Sequence, residues 1–312
     1  MSQFIINGGR PLQGEIEVKG SKNAAPKMLI ASLLTEEECV IDNFPLIGDT
    51  EITIELCKII GSEAIIEGNK IKIKTPQIKN HRVSSLSRRN RIPILAVGPL
   101  LARCGQAEVP ILGGDKIGPR PVDIHIEALK LLGAEINSDG NFYYASAPNG
   151  LKGAKITLRY PSVGATENTI LSAVFAKGRT AIKNAATEPE IIDLILMLQK
   201  MGAIIGLGAD RTIYIEGVEK LKGAYHSVLP DRNEAVSFAC LAVSGPNNKI
   251  KVKNAVQENL LTFLNALRRI GADYKIEEDG IVFYGSGNLS ATEIETDTHP
   301  GFMTDWQQPF VI

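Results

Sequence analysis

One phrase recurs four times along the 312-residue chain: KIIGSEAIIEGNKIKIK, LLGAEINSDGNFYYAS, KMGAIIGLGADRTIYIEG and RIGADYKIEEDGIVFYG. Each reads as a helix end, a glycine, and two short strands around a turn. The glycines, Gly61, Gly133, Gly202 and Gly271, are 72, 69 and 69 residues apart, and each stands where a helix C-terminus favours a residue tolerant of positive φ. A second phrase precedes three of the copies, as LQGEIEVKGSKNA, LKGAKITLRYPSVGA and LKGAYHSVLPDRNEA, and reads as a strand turning into a helix. Between the two phrases lie an apolar helix (KMLIASLL, ILSAVFA, AVSFACLAV), a strand (CVIDN, TAIKN, IKVKN) and an amphipathic helix (EITIELCKI, EIIDLILMLQK, ENLLTFLNALRR). Each repeat is therefore βαβαββ. A helix that is apolar on every side has to be buried, so the pattern predicts an α/β fold with sheets outside and helices inside.

The repeat also supplies a coordinate system. Counting back 39 residues from the glycine reaches the start of the buried helix at Lys22, Val163 and Arg232, and the longer second repeat needs 42 residues, reaching Arg91. Three of these four helix starts carry a cation. A helix N-terminus already presents unpaired N–H groups and a positive dipole, so a cation there is unfavourable unless an anion shares the site. Lys22, Arg91 and Arg232 are therefore expected to serve an anion-binding site, in preference to standing as unrelated surface charges.

Within the loop ILGGDKIGPRPVDIH, residues 111–125, the connection GGDKIGPRP replaces the shorter NFPLIGD, NAATEP and NAVQE of the other repeats. A long glycine- and proline-rich connection in an economical repeat points to a functional loop. GGDKIG lacks the GK[ST] ending of a phosphate-binding loop.

Composition excludes several classes. A net charge of -1 with 44% apolar residues describes a globular chain with no general affinity for nucleic acid or anionic membranes. The run IPILAVGPLLA is too short to span a bilayer, and MSQFIINGGRPL lacks the layout of a signal peptide, so a cytoplasmic location is expected. Cys39, Cys57, Cys104 and Cys240 show no CxxC spacing and are expected to be buried small hydrophobes. The histidines show no metal-ligand spacing, and no metal is expected.

SKNAA (21–25), VGPLLARCG (97–105), GGDKIGPRPVDIH, YPSVGAT (160–166), NAATEPEIIDL, LPDR (229–232) and HPGFMTD (299–305) together resemble the UDP-N-acetylglucosamine 1-carboxyvinyltransferase family of enolpyruvyl transferases, which have the EPSP synthase-like fold. The resemblance runs along the whole chain. It implies an inside-out α/β barrel, or prism, in two domains with substrates in the cleft between them: residues 22–229 as a complete three-repeat domain carrying the loop 111–125, and residues 1–21 with 230–312 as the second, incomplete one. The family has six repeats where this chain has four and part of a fifth, so truncation at the C-terminus is expected.

The family reaction moves the enolpyruvyl group of phosphoenolpyruvate onto the 3'-hydroxyl of UDP-N-acetylglucosamine, at the start of peptidoglycan precursor synthesis. By resemblance, Asp305 is the general base and Asp115, where most members carry cysteine, the general acid. Lys22, Arg91 and Arg120 are the cations for phosphate and carboxylate, and Asn23 contacts the sugar. Arg120, Pro121, Val122, Asp123, Ser162, Val163 and Gly164 match nucleotide-binding positions, and Arg232 belongs to LPDR, with an anion-binding or interdomain role. Tyr160 fills a position often held by lysine beside the uracil, where a ring can stack on the base. No cofactor is implied, because phosphoenolpyruvate is already activated. The competing readings are the shikimate-pathway enolpyruvyl transferase and a catalytically inactive sugar-nucleotide binding fragment.

Overall fold

A computed structural model of the chain describes residues 3–87, 90–111, 113 and 121–312. The first repeat comprises β1 (Gln13–Glu17), α1 (Ala25–Ser32), β2 (Cys39–Asp42), α2 (Gly48–Ile60), β3 (Glu63–Glu67) and β4 (Lys70–Lys74). In the second, a 3-10 turn at Ile92–Ala96 runs into α3 (Val97–Cys104), followed by β5 (Gln106–Pro110), α4 (Asp123–Leu131), β6 (Glu135–Ser138) and β7 (Phe142–Ser146). The third has β8 (Lys155–Thr157), α5 (Val163–Ala173), β9 (Arg179–Lys183), α6 (Pro189–Lys200), β10 (Ile204–Leu207) and β11 (Ile213–Glu216). The fourth has β12 (Tyr225–Ser227), α7 (Arg232–Val243), β13 (Lys249–Lys253), α8 (Leu261–Arg269), β14 (Asp273–Glu277) and β15 (Gly280–Tyr284). A second 3-10 turn, Thr304–Trp306, and α9 (Gln307–Val311) come after it.

The sheets share one plan: the repeat's second strand pairs antiparallel with its fourth, the fourth with its third, and an opening strand adds in parallel beside the second. The opening strands of the first and fourth repeats are exchanged. β1 pairs with β13, Gln13 opposite Lys249, while β12 pairs with β2, Tyr225 opposite Val40. The second repeat, which lacks the opening phrase, fills the position with a single parallel bridge of Arg82 to Glu108.

The chain divides into two compact units, Gly20–Leu229 and Met1–Lys19 with Pro230–Ile312. In the larger unit three separate sheets surround α1, α3 and α5. Met28, Leu29 and Ile30 of α1 are fully buried, each contributing roughly 2 kcal/mol of apolar transfer free energy. The inner helix α5 departs from the apolar expectation, with Thr166, Glu167, Asn168, Thr169 and Ser172 all buried. The Thr169 and Ser172 hydroxyls donate to carbonyls four residues back, and the Thr166 hydroxyl accepts from the Ala186 N–H, which makes their burial tolerable. The smaller unit packs α7 and α8 against the β1-β13-β15-β14 sheet, with Trp306 in its core.

The repeat glycines act as the sequence requires. After α4, Gly133 at φ 93° donates to Lys130 O while Ala134 N donates to Leu129 O, a double bond pattern repeated at Gly202 and Gly271. It satisfies carbonyls the helix end leaves open and turns the chain into the next strand. Cys39 and Cys57 are buried, but Cys104 is exposed at the end of α3, against expectation. No helix of the described residues is long and apolar enough to cross a membrane.

Candidate functional site

In the larger unit the Ile92–Ala96 turn packs against both α1 and α5, and several of the residues singled out in the sequence sit at the N-terminal ends of these three elements. Lys22 lies just ahead of α1, its Nζ 3.5 Å from Asp49 Oδ2 and its side chain 59% exposed. Asn23 follows, its N–H donating to Ser21 Oγ at 3.2 Å. Arg91 is the N-cap of the 3-10 turn and is exposed. Ser162 caps α5, its Oγ accepting from Ala165 N at 3.3 Å, so Val163 and Gly164 form the first turn with their N–H groups directed out of the helix end. A helix N-terminus flanked by cations is suited to an anion.

α4 and the segment before α5 are fastened together beside this end. Arg159 bonds the Asp123 carboxylate and also reaches Glu127 Oε1 at 2.6 Å. Tyr160 is 56% exposed, its carbonyl accepting from Ser162 N at 2.7 Å. Pro121 is exposed, whereas the Val122 side chain is in the core, which leaves only its backbone to meet a ligand. Asp115 and Arg120 lie outside the described residues.

The smaller unit holds the other two residues. Arg232 is 4% exposed, with its guanidinium carbon 5.5 Å from the centre of the Trp306 ring. Arg232 is thus packed on an aromatic face. Asp305 is exposed in the Thr304–Trp306 turn, with Asn233 Nδ2 at 3.4 Å from its Oδ2. The Trp306 indole N–H donates to Asn233 Oδ1 at 2.9 Å, and its ring meets Phe302 and Phe263 edge-on. Asp305 thus sits on a backbone fixed by the buried ring next to it.

Of the groups beneath the α5 end, the sequence marks His125 as a buried-looking histidine but not its pairing with Asn168. His125 is 5% exposed and its Nδ1 is 3.2 Å from Asn168 Nδ2, which also donates to Ile94 O at 3.2 Å. An amide donor on Nδ1 requires that nitrogen to accept, so the ring carries its proton on Nε2. Burial, with the Arg91 charge adding to it and Asp123 opposing, pushes His125 down to about 4. The imidazole is therefore neutral across the physiological range. A Cβ at residue 164 would stand 3.0 Å from His125 Cε1 and 3.1 Å from Nε2, so glycine is what allows the ring to lie against the helix end. The signal was available: Val122, His125, Ala128 and Leu129 share one helical face, and all are buried. Lys27 and Glu167 are a second missed pair, 3.6 Å apart. Among the described residues no group of three or more His, Cys, Asp or Glu side chains is placed to hold a metal ion.

The family model of EPSP synthase (3-phosphoshikimate 1-carboxyvinyltransferase) matches residues 6–311. Two relatives carry the name UDP-N-acetylglucosamine 1-carboxyvinyltransferase. That of Protochlamydia amoebophila is 49% identical over all of this chain and 69% of its own length. That of Chlamydia pneumoniae is 51% identical over 99% of this chain and 68% of its own. Among solved structures, the enolpyruvyl transferase NikO from Streptomyces tendae superposes with a TM-score of 0.85 at 19% identity, covering 97% of this chain and 73% of that one. EPSP synthase from Acinetobacter baumannii gives 0.72 at 18% identity, covering 98% and 70%.

Proposed function

The chain belongs to the EPSP synthase family of enolpyruvyl transferases, and from that premise we propose that it transfers the enolpyruvyl group of phosphoenolpyruvate to the 3'-hydroxyl of UDP-N-acetylglucosamine. The observation that carries the choice of acceptor is the 49–51% identity, over essentially the whole chain, to relatives with that name. The geometry is consistent with it: the open first turn of α5, with Arg91 capping the 3-10 turn packed against that helix, offers donors and positive charge to a diphosphate.

In this reading the sugar hydroxyl adds to C2 of phosphoenolpyruvate as its methylene carbon takes a proton. The adduct then loses a proton from the same carbon and expels phosphate, so atoms and charge balance without a redox partner. Asp305 serves as base and Asp115 as acid. Lys22, Arg91 and Arg120 stabilise the charge on phosphate and carboxylate. Asn23 holds the sugar, and Pro121, Val122, Asp123, Tyr160, Ser162, Val163 and Gly164 hold the nucleotide, Val122 through its backbone. Arg232 is assigned a structural part, bracing the turn that carries Asp305 through Trp306. Both substrates are water-soluble anions, which fits a cytoplasmic enzyme that feeds peptidoglycan synthesis.

The test is acceptor choice. Phosphate release from phosphoenolpyruvate should depend on UDP-N-acetylglucosamine and not on shikimate 3-phosphate. Release that follows shikimate 3-phosphate would overturn the reading.

A further inference from the structure

Lys27 and Glu167 take no part in the chemistry above, yet they form a largely buried ion pair next to one of its residues. Their side chains are 13% and 1% exposed, and Lys27 Nζ lies 3.6 Å from Glu167 Oε1. The same ammonium donates to the Asn23 carbonyl. We propose that Lys27 is a positioning residue for Asn23, that Glu167 holds its ammonium beneath the Lys22–Asn23 turn, and that the proton occupancy of Glu167 sets how firmly the turn is held. The consequence for substrate rests on the proposed function, since it takes Asn23 as a sugar contact.

Stability alone does not account for the pair. Removing two charges from water is costly, and apolar residues of similar size would fill the space at least as well. What the pair adds is direction. The Lys27 N–H donates to Ala24 O at 2.9 Å, which leaves the Asn23 carbonyl to the side chain. The turn is therefore tied down by a charge-assisted bond at the residue proposed to meet the sugar.

Glu167 is also placed to change charge. Lys27 faces it from α1, and Glu190 and Glu188 from the start of α6. On the neighbouring residue, Asn168 joins it to His125 of α4, which is neutral above about pH 4. The other basic groups on elements packed against α5 are Arg91 at the N-cap of the 3-10 turn, Arg103 on α3, Lys130 on α4, Lys200 at the end of α6, and Arg179 and Lys183 on β9. Burial first, and then Glu190 and Glu188, push the Glu167 carboxyl up to about 7 against the pull of Lys27. Above neutrality the carboxylate fixes the ammonium, and below it the neutral carboxyl lets the ammonium swing toward water.

A ligand-free measurement tests this. With the Asn23 carbonyl labelled with 13C and the Ala24 nitrogen with 15N, the resonance of that peptide bond is followed by NMR across neutrality. It should titrate with a midpoint near that of Glu167 in the unmodified protein and be flat in Glu167→Gln and in Lys27→Gln. In parallel, KM for UDP-N-acetylglucosamine should rise roughly three- to ten-fold from the alkaline to the acid side, the scale of one hydrogen bond, with kcat less affected. Glu167→Gln should keep the weaker value throughout. A flat resonance in the unmodified protein, or a titration that survives in Glu167→Gln, overturns the proposal. A titrating resonance in a protein that does not bind UDP-N-acetylglucosamine would leave the Lys27–Glu167 link standing and overturn the function assigned to the site.

Discussion

Replacing His125 by glutamine tests the site's electrostatics through stability. The ring is held at about 4 against an ordinary value of 6.5. The fold therefore keeps it neutral while the unfolded chain takes up a proton. For a base depressed in this way the stabilisation is complete above the unfolded value and is lost as pH falls toward the folded one. The gap corresponds to about 3 kcal/mol at 1.36 kcal/mol per unit. Glutamine keeps a donor and an acceptor but does not titrate. Urea unfolding of both proteins at neutral pH and near pH ~4 should show the unmodified protein losing about 3 kcal/mol more than the variant on acidification. Parallel losses would refute the claim that His125 is buried neutral beneath the α5 end.

Glu167→Gln should behave in the opposite sense. With a carboxyl raised from 4.5 to about 7, the fold's advantage is full below the lower value and lost as pH rises through the upper one. The unmodified protein should therefore lose on the order of 3 kcal/mol relative to the variant between acid and neutral pH in the same urea assay. Gly164→Ala places a methyl about 3.0 Å from His125 Cε1, and should cost roughly 1 to 3 kcal/mol in stability and weaken UDP-N-acetylglucosamine binding measured by calorimetry. Trp306→Ala removes a ring that is 1% exposed, and should cost about 3 to 5 kcal/mol by chemical denaturation. Asp115→Asn should bind the sugar nucleotide as before and lose roughly 100-fold or more in turnover, as expected for a missing general acid, whereas Asp115→Cys should stay active and become sensitive to thiol-alkylating epoxides.

The repeat was legible because its signals are local. A glycine after an amphipathic helix and two alternating strands specify the same hairpin wherever they occur, and Gly133, Gly202 and Gly271 close their helices with the same bonds. The repeat pattern alone does not carry the exchange of β1 and β12, although the domain bounds implied by the resemblance already separate β1 from β2 and β12 from β13. Both strands carry the right pattern for either sheet, and the partner is selected by packing far along the chain. Lys22, Arg91 and Ser162 stand out in the sequence because they share a repeat coordinate or a quoted motif. Arg232 shares that coordinate too, yet Trp306, 74 residues on, covers it. Lys27–Glu167 and His125–Asn168 escaped for the same reason: each half is unremarkable alone, and only the packing of α1 and α4 on α5 joins them.

Running the reaction in D2O with phosphoenolpyruvate and UDP-N-acetylglucosamine, and weighing the sugar nucleotide by mass spectrometry, tests the central claim most directly. The account predicts a product heavier by one enolpyruvyl group, formed in step with released phosphate and carrying deuterium in its methylene, because that carbon gains and then loses a proton. Unaltered UDP-N-acetylglucosamine alongside released phosphate, or a product whose methylene holds no deuterium, would contradict it.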